Sequence, residues 1–284
     1  MAKIVPGDRI VPVWMAALDH LEQHKGRYRN LLLEIETPDV VTKADRAVID
    51  LVDPVLRRHG KTNVMTVAGT IFPFGLYRKV GAEALPAKFQ AIMARAMVKG
   101  HWGTYAMRLM SRPGKKPGET INPLYEVVRK LNKASGDGVG YNSNYELGVH
   151  SPQDLFSEDI ACEIPLYSPA EDRTNISKYP CLSHLTFKLI DRKVLELTAI
   201  YRSHYYLQRA LGNLVGLTHL MRFVALETGL KVGRLTCIST DAHLDVEFWG
   251  GAINTRAVMA QLKTAAGSEP ALAPGGQINE PCVA

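Results

Sequence analysis

Cys181 follows Lys178-Tyr-Pro180 and precedes an alternating apolar run through Leu185, Phe187 and Leu189. A proline turn at that point fixes the backbone at a sheet edge, where the sulfur can face a cleft and, as thiolate, act as a nucleophile. Taken alone, a Pro-Cys step is more often structural than catalytic. Downstream of it stands an ordered set of polar residues. Arg202-Ser203 ends the second of two extended runs, 21 residues after Cys181, and Asn213 lies 11 residues after the arginine inside a helical pattern. Asp241-Ala-His243 then closes a further strand, with His243 30 residues beyond Asn213. The other cysteines, Cys162, Cys237 and Cys282, form no C-x-x-C pair, which excludes a redox or zinc-knuckle motif. His20 and His24 share a helical face, but the glutamate of H-E-x-x-H is missing. They read as a solvated face, and no metal is expected.

These residues need a folded frame, and the composition provides for one. Of 284 residues, 46% are hydrophobic and 22% charged, which excludes wholesale disorder, a collagen-like chain and a disulfide-dense mini-protein. The formal charge of +6 suits an anionic small substrate as well as it suits nucleic acid. No aromatic-basic interleaving or RNA module accompanies it, so nucleic acid is not an expected partner. No run approaches the roughly 18 apolar residues of a membrane span. Met-Ala-Lys-Ile-Val-Pro-Gly at the start lacks a signal-peptide core, and four scattered thiols read as reduced, so the expected location is the cytoplasm.

Periodicity gives the elements. Trp14, Met15, Leu18 and Leu21 predict an amphipathic helix behind Pro12, and Leu31 to Ile35 a strand. A second helix is expected from Ala44 to Arg58, with Ala47, Val48, Leu51, Val55 and Leu56 inward and Pro54 kinking or ending it. The Val, Thr, Ile and Phe content of Asn63 to Phe74 predicts β-structure, and Ala87 to Met97 a helix. Two Pro-Gly steps mark Arg112 to Gly118 as a solvated loop, and Leu124 to Leu131 reads as a short helix. His184–Ile190 and Val194–Tyr201 alternate on either side of Asp191-Arg-Lys193, a hairpin. Tyr206 to Glu227 is a long buried helix with Gly229 at C′, followed by a strand over Arg234–Thr240 and a helix over Ile253–Lys263. The fold class is α+β: a mixed twisted sheet with flanking helices, one domain over 1–264 and a flexible tail over 265–284.

Pro180-Cys181, Arg202-Ser203, Asn213 and Asp241-x-His243 together resemble the ordered signature of the thymidylate synthase family. Pro-Cys-Leu-Ser-His-Leu-Thr-Phe-Lys and Arg-Ser-His with Gly-Asn-Leu-x-Gly-Leu look closest to archaeal-type synthases and to nucleotide C5-hydroxymethylases. Trp102-Gly-Thr-Tyr105-Ala-Met-Arg108 is similar to the family's Tyr-Gly-x-x-x-Arg stretch, and Ile121 to Leu131 to the helix after it. The resemblance covers about residues 100–263. It implies that Cys181 adds to C6 of a pyrimidine nucleotide, making C5 an enolate-like carbon able to attack the one-carbon unit of 5,10-methylenetetrahydrofolate. A free thiol is only a few per cent ionised at pH 7, so a cation is required. The resemblance gives that role to Arg202, which would also hold the phosphate with Ser203. It sets Asn213 on the O4/N3 edge of the base, favouring uracil, although a rotated amide suits cytosine. It turns Asp241 and His243 toward base and sugar, adds Tyr105 to the catalytic set, and implies a homodimer with its sheets back to back.

Several positions depart from the family pattern. Asp245 stands where the family has a sugar-binding Tyr, and a carboxylate there could hold the diol of a ribonucleotide. Tyr205 replaces an Asp near the folate, which makes it the cofactor-side candidate. Ala134 to Asn144 contains no counterpart of the partner-supplied Arg-Arg phosphate pair; Arg57, Arg58, Lys115 and Lys116 are the available substitutes. Two lost charge-assisted donors cost roughly 1.5 to 3 kcal/mol each. The proton-relaying carboxylate has no clear counterpart, Glu83 lying nearest in sequence, and Pro281-Cys-Val-Ala284 reads as a frayed end, a little like the family's small apolar tail that closes over folate. The expected function is methyl or hydroxymethyl transfer to C5 of a uracil-type nucleotide. The alternatives are a CMP or dCMP hydroxymethylase and a catalytically reduced nucleotide-binding or regulatory homologue.

Overall fold

The hairpin is where local chemistry dictates most. Strands over Leu182–Ile190 and Val194–Tyr201 pair antiparallel, from Ile190 opposite Val194 to Leu182 opposite Tyr201. Asp191 and Arg192 at the turn have φ of 48° and 55°, the double-positive arrangement whose twist matches that of the strands. In the computed structural model, which describes residues 1–96, 104–114, 116–136, 163–165 and 180–267, this hairpin sits within a larger mixed sheet.

In chain order the strands are β1 (Lys3–Gly7), β2 (Arg27–Ile35), the short β3 (Arg112–Pro113) and β4 (Thr120–Ile121), β5 (Glu163–Pro165), β6 (Leu182–Ile190), β7 (Val194–Tyr201), β8 (His204–Tyr205) and β9 (Lys231–His243). The main sheet runs β1-β2-β9-β7-β6-β5, with β8 also paired to β9, while β3 and β4 form a ladder of their own. β9 lies antiparallel to β2 and parallel to β7. The start of β6, the end of β7 and the end of β9 therefore meet at one end of the sheet. All the catalytic and binding candidates from Cys181 to Asp245, except Asn213, come from this end.

Alternation sends Leu31, Leu33, Leu197, Ala199, Leu235 and Cys237 into the core. On the opposite face Leu32, Thr198, Ile200, Thr236 and Ile238 are partly exposed. The helices are α1 (Ile10–Gln23), α2 (Lys43–Arg58), α3 (Val64–Ile71), α4 (Phe74–Ala96), α5 (Tyr105–Met110), α6 (Pro123–Ser135), α7 (Leu211–Thr228) and α8 (Ala252–Gly267). α7 is buried almost all round, as a helix in the middle of a layered core must be. Gly229 ends it in the left-handed conformation, φ 68°. Among the described residues no helix is long and apolar enough to cross a membrane.

Several expectations need correction. Asn63 to Phe74 is not β-structure. Asn63 caps α3 by accepting from the Thr66 amide at 2.7 Å, and the helix packs directly on α7. A Cβ on Gly212 would lie 2.6 Å from Val67 Cβ, and one on Gly216 2.7 Å from the Ala68 carbonyl oxygen. That close backbone approach overrides the strand preference of the β-branched residues. α2 continues past Pro54 to Arg58, and Leu51 faces outward at 40% exposure while Val48, Val52 and Leu56 go in. The alanine-rich helix is the second part of α4, set off from the first by Gly81 at φ 75°. α8 runs to Gly267, into the stretch that begins at Ala265. Residues 268–284, Trp102, Lys115, Cys162 and positions 137–144 lie outside the described residues.

Candidate functional site

Pro180 is buried and Cys181 half-buried where the chain enters β6. The Tyr105 hydroxyl oxygen accepts two consecutive main-chain amides there, Cys181 at 3.1 Å and Leu182 at 3.2 Å. Tyr105 is buried at the start of α5, and burial pushes its phenol up to about 12. Arg202 clamps the same segment from the other side. Its amide donates to the Cys181 carbonyl at 2.9 Å, and its guanidinium donates to the Pro180 carbonyl. The Thr240 hydroxyl donates to the Arg202 carbonyl at 3.0 Å, tying the bend at Arg202-Ser203 to β9. A fixed backbone thus presents the sulfur.

Burial raises the Cys181 thiol above its ordinary value, and the positive charges of Arg202 and Arg209 act against it. The net direction is upward, so one arginine does not by itself produce a resting thiolate. Arg209 was not foreseen. It sits on a π-helical turn, Tyr206–Ala210, that leads into α7, and donates to the Thr62 hydroxyl at 3.1 Å. Such turns recur at functional sites because they reset the facing of the residues that follow. Cys237, by contrast, is wholly buried in the core, with its thiol pushed up to about 12.

Asn213 is buried in the first turn of α7. Its Nδ2 lies 3.0 Å from Nε2 of His204, whose Nδ1 lies 3.0 Å from Ser239 Oγ, which in turn meets the Tyr206 hydroxyl at 3.0 Å. His204 stacks on Tyr201 with ring centroids 4.0 Å apart, and burial pushes its imidazole down to about 3. It is neutral throughout the physiological range. A sequence signal for this network existed in β9, where Ser239 is a polar residue in an inward series of Leu235 and Cys237.

At the outer end of β9, Arg27 grips both carboxylate oxygens of Asp241 at 2.8 and 2.6 Å and holds the carboxyl below its usual range. His243 Nε2 contacts the same carboxylate at 3.0 Å, and its ring lies 5.4 Å from that of Tyr205. Asp241 thus orients His243. Nothing local reveals Arg27, which is 214 residues away in sequence.

Asp245 adopts a left-handed conformation, φ 48°. Its Oδ1 accepts from the Leu207 amide at 3.4 Å, so the carboxylate braces the π-helical turn. Burial pushes its carboxyl up to about 7, against the opposing bonds from Leu207 and Gln208. The folded state therefore holds a proton that the unfolded chain releases near pH 4. The resulting stability is full below about pH 4 and is lost as pH rises through about 7. In urea unfolding, the stability advantage of the native chain over Asp245→Asn is expected to shrink between pH 5 and pH 8. The change is on the order of 2–4 kcal/mol at 1.36 kcal/mol per pKa unit. A pH-independent difference would show that the carboxyl is not protonated. Glu83 lies on α4, where its charge acts on Tyr125 of α6.

No protein-family model matches the chain. Over 146 residues it is 37% identical to a protein of Methanothermobacter thermautotrophicus, covering 51% of this chain and 52% of that one. Over 76 residues it is 37% identical to a protein of Methanosarcina barkeri and 36% identical to one of Methanosarcina mazei, covering 27% of this chain and 35% of each. All three carry the name "Putative thymidylate synthase". The chain spans about half or less of the length of these relatives.

Proposed function

We propose that this divergent thymidylate synthase-like chain transfers a one-carbon unit to C5 of a pyrimidine nucleotide, with Cys181 as the nucleophile. The observation that carries the reading is the half-buried Cys181 clamped between Arg202 and Tyr105 at the sheet end that also holds the His204–Asn213 pair. The thiolate forms a bond to C6 and drives the ring electrons toward C5, which becomes carbanion-like. C5 then forms a bond to the one-carbon unit. Loss of the C5 proton and departure of the carrier with its bonding pair leave an exocyclic methylene, and addition of hydride or water at that carbon expels the thiolate and restores the ring double bond.

Arg202 and Ser203 hold the phosphate, a guanidinium fork being suited to two oxygens at once. Asn213 offers a donor and an acceptor to the N3/O4 edge, and Asp241 holds His243 toward the base and sugar. Tyr105 fixes the nucleophile through its two main-chain bonds. Tyr205, 41% exposed beside His243, offers a ring face against which the folate's fused ring would lie. 5,10-Methylenetetrahydrofolate, when bound, supplies the one-carbon unit. The partly exposed sheet face around Leu32, Ile200 and Ile238 supports a homodimer with the two sheets back to back.

The test is tritium release from C5-tritiated UMP, dUMP, CMP and dCMP, with and without methylenetetrahydrofolate. Release from a uracil nucleotide is expected. Tight binding of one of them with no release from any is the result expected of a nucleotide-binding regulator, a reading to which the upward shift of the Cys181 thiol lends weight.

A further inference from the structure

We infer that His204 is a positioning residue that fixes which way round the Asn213 amide lies, and thereby which base the site selects; this rests on the reading of Asn213 as the residue facing the base. An asparagine amide is nearly symmetric in shape but not in chemistry. One orientation offers N–H to O4 and C=O to N3–H of uracil, and the flipped one matches the N4 amine and bare N3 of cytosine. Selectivity therefore needs a neighbour that distinguishes the amide nitrogen from the amide oxygen.

His204 is such a neighbour. Its Nε2 faces Asn213 Nδ2 at 3.0 Å and its Nδ1 faces Ser239 Oγ at 3.0 Å. The imidazole is 1% exposed and neutral, so it carries one ring proton. With Nδ2–H donating to Nε2, that proton sits on Nδ1 and donates to Ser239. The second Nδ2 hydrogen and Oδ1 remain as the reading edge. In this tautomer, flipping the amide would set its oxygen against the Nε2 lone pair, a repulsive contact in a buried site. The parallel stack on Tyr201, 4.0 Å between centroids and 6° between planes, and the β8–β9 pairing of His204 with Ala242 hold the ring in place.

The first test needs no variant. ¹⁵N NMR of histidine-labelled native protein should show His204 neutral at pH 6 with the proton on Nδ1; a proton on Nε2 overturns the inference, because that nitrogen could not then accept from Asn213. The second is calorimetric titration of UMP, dUMP, CMP and dCMP into the native protein, His204→Phe and Asn213→Ala. Phenylalanine keeps the stack and removes both ring nitrogens. The native uracil-to-cytosine affinity ratio is expected to be tenfold or more and to fall to within about threefold of unity in His204→Phe. A native preference for cytosine that His204→Phe erases supports the positioning role and corrects the base. A native ratio near one, or a ratio that survives in His204→Phe, overturns the inference. Unchanged binding by Asn213→Ala removes the reading beneath it as well. If His204→Phe does not fold, Ser239→Ala takes its place, with a reduced ratio expected and an unchanged one counting against the idea.

Discussion

Cys181→Ser should lose C5 tritium release by a factor on the order of 10³ or more while still binding nucleotide within a few-fold of native. A serine hydroxyl at this position has no base among its described contacts to ionise it, and burial opposes its anion more strongly than it opposes a thiolate. The fold should tolerate the change. The side chain is half-buried, its size scarcely alters, and the main-chain bonds to Tyr105 and Arg202 stay available. Thermal unfolding should accordingly report a loss below about 1 kcal/mol. On this reading the native protein carries its own pH signature. Because burial raises the thiol, the initial rate should climb through the neutral range and continue past the ordinary thiol value as the thiolate fraction grows. Full turnover by the serine variant would end the nucleophile assignment, and a rate that levels off below pH 7 would contradict the protonated resting state.

The legible parts of the fold were those in which one short stretch decides its own structure. The β6–β7 hairpin, the long α7 and its Gly229 stop were readable because alternation, helical spacing and a left-handed cap are local signals. Asn63 to Phe74 was misread because its conformation is decided by two glycines on α7, which lie about 150 residues away and let the backbones meet. The site divides the same way. Cys181, Arg202 and Asn213 could be named as candidates because their order and spacing resemble a family signature, and His204 stood inside its Arg-Ser-His string. What that spacing could not show was its contact with Asn213, made across the π-helical turn between them, or Arg27 on Asp241, which follows from the long-range pairing of β2 with β9. The net direction at the thiol was equally invisible, since it balances burial against two guanidiniums and burial is a property of the assembled core.

Arg202→Ala is expected to lower kcat/KM by about 10² to 10³, through three losses that can be told apart. The first is the proposed phosphate contact, worth roughly 1.5 to 3 kcal/mol for a charge-assisted bond, or about 10- to 10²-fold in affinity. It should weaken UMP and leave the affinity for uridine, which has no phosphate, nearly unchanged. The second is the charge that opposes burial at Cys181. With Arg209 left to oppose burial at the thiol, its value rises further, so the pH–rate profile should move in the alkaline direction. The third is the bond to the Pro180 carbonyl, a main-chain acceptor at a buried residue, whose loss loosens the segment that presents the sulfur. Arg202→Lys separates these effects. An ammonium restores a positive charge near the thiol and part of the phosphate affinity, but it cannot span two acceptors as a planar fork does. The lysine variant should therefore keep most of the native pH profile while recovering only part of kcat/KM. If Arg202→Ala stays within threefold of native, or weakens uridine as much as UMP, Arg202 is a strand-end brace and the phosphate lies elsewhere.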